Sequence, residues 1–135
     1  MLKQIDHIGI AVESLEDAIE LYKSLGLQFE NIETVEDQKV RVAFFKIGEV
    51  SIELLEATSP ESPIAKFIES KGPGIHHIAY RTDGVEADLA RVQAKGIALI
   101  DEVPKIGAHG SRIAFLHPKS TGKVLTELCE PGYDD

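Results

Sequence analysis

The chain has 135 residues, the size of one ordinary domain, and its 43% hydrophobic and 27% charged residues make a globular rather than a disordered composition. A formal net charge of −9 argues against nucleic acid or an anionic membrane as the main partner, and no apolar run approaches the roughly 18 residues that span a bilayer. Cys129 is the single cysteine, so no internal disulfide can form, which fits a reducing cytoplasm; Asp6 and His7 interrupt the N-terminal apolar stretch where an export signal would be continuous.

In chain order, the alternation of residues 7 to 12, HIGIAV, predicts a short strand. Ser14, with Asp17 three residues on, predicts a helix start; Leu15, Ala18, Ile19 and Tyr22 form its apolar stripe and Gly26 its end. Strands are expected over 28 to 35, 39 to 47 and 50 to 57. In SPIAKFIESKG, Ser62 can cap, Pro63 suits a first helical turn and Gly72 stops a short linking helix. A second strand over 76 to 82 leads into a helix that starts at Asp83 or Gly84, carries Leu89, Val92 and Gln93, and ends at Gly96. Three further strands are expected over 98 to 103, 111 to 117 and 123 to 130.

The two halves repeat one another. IDHIGIAV laid over HHIAYRT puts His7 on His77 at an offset of 70, and Gly26 falls on Gly96 at the same offset. RVAFF matches RIAFL at 71 and IELLE matches TELCE at 74, the drift falling on the longer hairpin HPKSTGK of the second copy. Four matches in one order point to tandem duplication. The expected fold class is α+β, one domain over residues 1–135: a βαβββ module over 1–60, a linking helix over 61–73 and a second βαβββ module over 74–133. Each module alone leaves one sheet face open, and two packed edge to edge would share a concave cavity.

Strand parity then selects candidate ligands, because neighbouring residues point to opposite faces. His7, Gly9 and Ala11 share a face, with Ile8, Ile10 and Val12 on the other; His77, Ala79 and Arg81 match the first set. Glu53 and Glu127 occupy equivalent positions among apolar neighbours, where a carboxylate is costly to bury unless it is paired or bound to a cation. His7, Glu53, His77 and Glu127 together suit a borderline divalent metal such as Co, Ni, Mn, Fe or Zn. The plainer reading keeps each His as a satisfied histidine and each Glu as an exposed strand residue; the symmetric quartet favours the metal. In this alignment His76 falls on Asp6 and is a bystander to the ligand His77.

The runs DHIGIAV, SIELLEATSPESPIAKFIESKGPG, GIHHIAYRTD and PKIGAHGSRIAFLHPKSTGKVLTELCE resemble the methylmalonyl-CoA epimerase family of the vicinal oxygen chelate superfamily, the glyoxalase fold, over nearly the whole chain. The resemblance implies paired βαβββ modules, a cytoplasmic homodimer and a place in propionate metabolism. It also implies a divalent metal, Co(II) first and Mn, Ni, Zn or Mg as alternatives, bound by His7, His77 and Glu127, with the fourth ligand position on Glu53. The implied reaction interconverts the R and S forms of methylmalonyl-CoA by proton removal at C2. Glu127 is the expected base. Some members carry a second glutamate on the third strand of the first copy, but here that strand reads KVRVAFF, with Val42 or Arg41 near the place, so Glu53 is the candidate second base.

The loop Ile106, Gly107, Ala108, His109, Gly110 is expected near the thioester or carboxylate. Lys119 is a candidate for the CoA phosphates, with Lys105 and Lys123 beside it, although a solvated surface lysine is the default reading for each. Arg41 and Arg112 are expected in salt bridges, His117 in turn chemistry, and Glu56 and Glu130 in solvent. The alternatives are a glyoxalase I type lactoylglutathione lyase using the same quartet and a non-catalytic small-molecule binding protein of the same fold.

Overall fold

The computed structural model describes residues 1–132. The last residue of the expected second module, 133, lies outside the described residues. The chain parts into two compact units, one running from His7 to His76 and the other comprising Met1–Asp6 with His77 onward.

In the unit from His7 to His76, the part of strand β1 (Leu2–Ala11) from His7 onward leads into helix α1 (Leu15–Ser24), strands β2 (Gln28–Val35), β3 (Val40–Ile47) and β4 (Val50–Ala57), and helix α2 (Pro63–Lys71). The strand order is β2-β3-β4-β1, with β1 parallel to β4 and the others antiparallel. Ser14 caps α1 by accepting the Asp17 N–H, and Ser62 caps α2 by accepting the Ile64 N–H at 3.1 Å. The core forms where Leu15, Ala18 and Ile19 of α1 meet Ala43, Phe45 and Leu54, with Ile10, Val12 and Ile52 packed around them. That is the branched face assigned from the β1 sequence.

The other unit repeats the plan with strand β5 (Gly74–Thr82), helix α3 (Val85–Ala94) and strands β6 (Lys105–Ile106), β7 (Arg112–Leu116) and β8 (Thr126–Glu130). The order is β5-β8-β7-β6, with β5 parallel to β8. Val85, Leu89 and Val92 of α3 pack on Ala114, Leu116 and Leu128. Both halves therefore have the βαβββ order expected of the α+β fold.

One expected strand is largely missing. Residues 98 to 103 keep a single bridge, Leu99 to Leu116, and β6 shrinks to two residues. The ladder is diverted by side chains: Ala98 N–H donates to Ser120 Oγ at 3.0 Å, and Phe115 N–H donates to the Asp101 carboxylate at 2.9 Å. Pro104 then has no N–H to offer. The last strand begins at Thr126 rather than 123, because Lys123 is left-handed at φ 71° and its N–H closes the preceding turn on the Pro118 carbonyl at 2.8 Å.

Glu56 and Glu130 are a second correction, since neither is left to solvent. Glu56 accepts the Leu15 N–H at 2.9 Å and pairs with Arg41; Glu130 accepts the Val85 N–H at 3.0 Å and lies 3.8 Å from Arg112. Arg41 also reaches Glu16 at 2.9 Å, and Arg112 reaches Glu86 at 2.8 Å. The two units thus repeat the arginine–glutamate part of the capping network, and the Arg41 guanidinium holds the Glu16 carboxyl below the usual carboxylate range.

Candidate functional site: two buried histidine–glutamate pairs

In the first unit the register sets Gly9 and Phe44 on either side of Glu53, and Val42 beside Leu55. His7, Glu53, Val42 and Phe44 thereby share the sheet face turned away from α1. His7 Nδ1 lies 3.2 Å from Glu53 Oε2, with 6% of the imidazole and 12% of the carboxylate side chain exposed. Val42 and Phe44 are buried, so this part of the face is apolar.

In the second unit Ala79 and Phe115 flank Glu127. His77 Nε2 lies 3.1 Å from Glu127 Oε1, and both side chains are about as buried as a core residue, 6% and 5% exposed. The edge of one ring meets the face of the other between His77 and Phe115, centroids 5.6 Å apart at 85°. Ala79, Ile113 and Cys129 complete an apolar surround, so Cys129 packs as a small buried hydrophobe. The two units use different imidazole nitrogens for equivalent contacts, Nδ1 in one and Nε2 in the other.

The donor chemistry fits a divalent metal. His7, His77 and Glu127 are buried and each offers a nitrogen or oxygen donor of a kind that holds such an ion. A buried carboxylate in apolar surroundings needs a counter-charge or donor, and a borderline cation shared with imidazole supplies one.

The remaining expectations divide. His76 packs edge-on against Phe67 of α2, centroids 5.0 Å apart, as suits a bystander. Arg81 is held by Asp6, with contacts of 2.8 and 2.9 Å. His117 takes part in turn chemistry, its Nδ1 accepting the Lys119 N–H at 3.1 Å, and the Lys119 side chain is exposed. In the Ile106–Gly110 segment the Gly107 N–H donates to the Ser111 carbonyl at 2.9 Å, and His109 is left-handed at φ 58°. Ile106 is exposed. Lys105 is more constrained than a solvated lysine: its Nζ lies 3.4 Å from Asp101 Oδ1 and 5.2 Å from the centroid of the Phe115 ring. Sequence reasoning missed this contact because Asp101 and Phe115 are brought together by hydrogen bonds between segments 14 residues apart, one backbone to backbone and one backbone to side chain.

A profile of the Glyoxalase/Bleomycin resistance protein/Dioxygenase superfamily matches residues 6–115. Human mitochondrial methylmalonyl-CoA epimerase is 40% identical over 129 residues, 94% of this chain and 73% of that protein. "Uncharacterized protein YqjC" of Bacillus subtilis (strain 168) is 47% identical over 134 residues, 98% of this chain and 96% of that protein. A solved methylmalonyl-CoA epimerase in complex with methylmalonyl-CoA and NH4+ is 40% identical, with a TM-score of 0.94 over 98% of this chain and 97% of that chain. The chain belongs to the methylmalonyl-CoA epimerase family of that superfamily.

Proposed function

We propose that this protein is a metal-dependent epimerase that interconverts (R)- and (S)-methylmalonyl-CoA. The observation that carries the reading is the pair of buried His–Glu contacts at repeat-equivalent positions, in a chain whose full length resembles an epimerase solved with methylmalonyl-CoA. His7, His77 and Glu127 would hold the metal, with Glu53 at the fourth position; Co(II) is the first choice and Mn, Ni, Zn and Mg are the alternatives. A divalent ion there supplies Lewis-acid stabilisation of the charge that develops on the thioester oxygen.

The chain's own groups move the proton. The C2 hydrogen lies between a thioester and a carboxylate, which makes it acidic enough for a side-chain carboxylate to remove. Glu127 has that role, oriented by His77 and kept from bulk water by Phe115, Ile113 and Cys129. Inversion requires a proton on the opposite face. Val42 and Phe44 are apolar, and Glu53 is the carboxylate beside them, held by His7, so Glu53 serves as the second acid/base. The Ile106–Gly110 segment and Lys119 are assigned to substrate contact. One domain over the whole chain, a cytoplasmic homodimer and a role in propionate metabolism belong to the same proposal.

The test is deuterium uptake from solvent into C2 of methylmalonyl-CoA, with chelator-treated protein as control. Metal-dependent exchange is expected; its absence removes the reading. Glu127→Gln should abolish exchange from one isomer and Glu53→Gln from the other. Full turnover by Glu53→Gln with complete loss in Glu127→Gln would leave a single base.

A further inference from the structure

We propose that Lys105 is a substrate-binding cation of this site, which receives an anionic oxygen of the acyl-CoA at the acyl carboxylate. The inference rests on the epimerase reading and adds a residue to it. Lys105 pairs with Ile113 in the β6–β7 ladder, and Ile113 stands on the same face as Ala79, Phe115 and Cys129. The lysine therefore belongs to the face that carries His77 and Glu127, at its β6 edge.

Two contacts hold the ammonium there. Asp101 Oδ1 lies 3.4 Å away, and the Phe115 ring centroid lies 5.2 Å away. Phe115 is in turn the direct cross-strand partner of Glu127 and meets the His77 ring. Asp101 is itself fixed, because its other carboxylate oxygen accepts the Phe115 N–H at 2.9 Å. A single aromatic side chain thus links the lysine to the reacting pair, and the same aspartate aligns both.

Partly exposed ion pairs and cation–π contacts are weak, so neither binds the ammonium strongly enough to prevent its exchange for a better anion. The side chain is 37% exposed, enough to meet a ligand. Other cations of this unit are placed differently. Arg81, on the same face, is held in two contacts by Asp6; Arg112 faces Glu86 and Glu130; Lys119 and Lys123 are exposed in the turn before β8. A substrate with several negative charges meets a chain of net charge −9, so a local cation is needed at its reacting end. The position beside Phe115 favours the acyl carboxylate over a CoA phosphate, because Phe115 marks the place of Glu127.

The experiment is calorimetric titration of metal-loaded wild type, Lys105→Met and Lys105→Arg with methylmalonyl-CoA and, separately, with propionyl-CoA, which keeps the phosphates and lacks the carboxylate. Lys105→Met should weaken methylmalonyl-CoA binding about tenfold or more, as loss of a charge-assisted hydrogen bond does, and leave propionyl-CoA within about twofold. Lys105→Arg should recover most of the loss. Equal weakening toward both ligands would show a phosphate contact or a structural role and overturn the assignment, as would unchanged binding of methylmalonyl-CoA. Circular dichroism and urea midpoints confirm that the variants fold, and Lys105→Gln replaces Lys105→Met if the latter does not. Wild type that neither binds methylmalonyl-CoA nor exchanges its C2 proton overturns the epimerase reading and the inference with it. Wild type that does both, beside a Lys105→Met variant that binds methylmalonyl-CoA as tightly, overturns the inference alone.

Discussion

Glu130 Oε1 accepts a hydrogen bond of 3.0 Å from the backbone N–H of Val85, and so a strand residue 45 positions later in the chain caps helix α3. The local N-cap residue is Gly84, which makes no side-chain cap. The carboxylate satisfies one of the first-turn donors and places negative charge at the positive end of the helix dipole. Glu130→Ala should cost about 1–2 kcal/mol in urea unfolding. Glu130→Gln should cost less, since an amide oxygen still accepts the bond. Glu56→Ala tests the same device at α1, where Ser14 provides an independent cap and moderates the loss.

Asp88 is a buried carboxylate whose stabilising role depends on pH. Burial pushes its carboxyl up, but hydrogen bonds from Thr82, Arg91 and the chain's first amino group together outweigh burial and hold it below the usual carboxylate range. A depressed folded value means that the charged form stabilises the fold above the unfolded value of about 3.9, and that this contribution is lost as pH falls through the folded value. Asp88→Asn should therefore be destabilised by about 1–3 kcal/mol at pH 6 to 7. The gap from wild type should close below about pH 4. Urea midpoints of both proteins across pH 2.5 to 7, a range set by the roughly 3.9 unfolded value, measure it. A gap that stays constant with pH would assign the loss to shape rather than charge.

Gly132 lies against the turn proposed to touch substrate. A Cβ there would come within 3.0 Å of the His109 carbonyl oxygen and 3.1 Å of the Gly110 carbonyl oxygen, and backbone cannot step aside as a side-chain end can. Gly132→Ala should displace the 109–110 segment, raising KM for methylmalonyl-CoA severalfold while costing about 1–3 kcal/mol of stability. Steady-state kinetics and thermal unfolding separate the two effects. At Gly107 the nearest atoms are the ends of the Ile113 side chain, at 3.0 and 3.1 Å, so Gly107→Ala should be milder.

Metal removal should be visible without any assay of turnover. If the buried histidine–glutamate pairs hold a divalent ion, prolonged chelation lowers the thermal midpoint and added Co(II) restores it, because an ion that binds only the folded state stabilises it by mass action. His77→Ala should abolish the restoration and remove the imidazole contact of Glu127, at a cost of about 2–4 kcal/mol. An unchanged midpoint after verified metal removal would count against a structural contribution of the ion.

The sequence by itself determined the repeated βαβββ order, because period-two alternation and helix caps act over a few residues and leave direct marks. Ser14, Ser62 and Gly72 mark the helix boundaries, and the face of β1 that packs on α1 follows from branched against small side chains. It also set His7 on the position of His77 and Glu53 on that of Glu127, since parity is fixed once the strands are known, while the pairing of each histidine with its glutamate came from the strand register. The tertiary structure decided what long-range contacts control. Residues 98 to 103 lose their strand because Ser120 and Asp101 compete for its hydrogen bonds, and Glu56 and Glu130 leave solvent because helix starts distant in sequence need their oxygens. Lys105 joins the His77 face through its ladder pairing with Ile113, and Asp101 and Phe115 hold its ammonium there. Local patterns record which way a side chain points, whereas the partner it meets is set by chain segments that folding brings beside it.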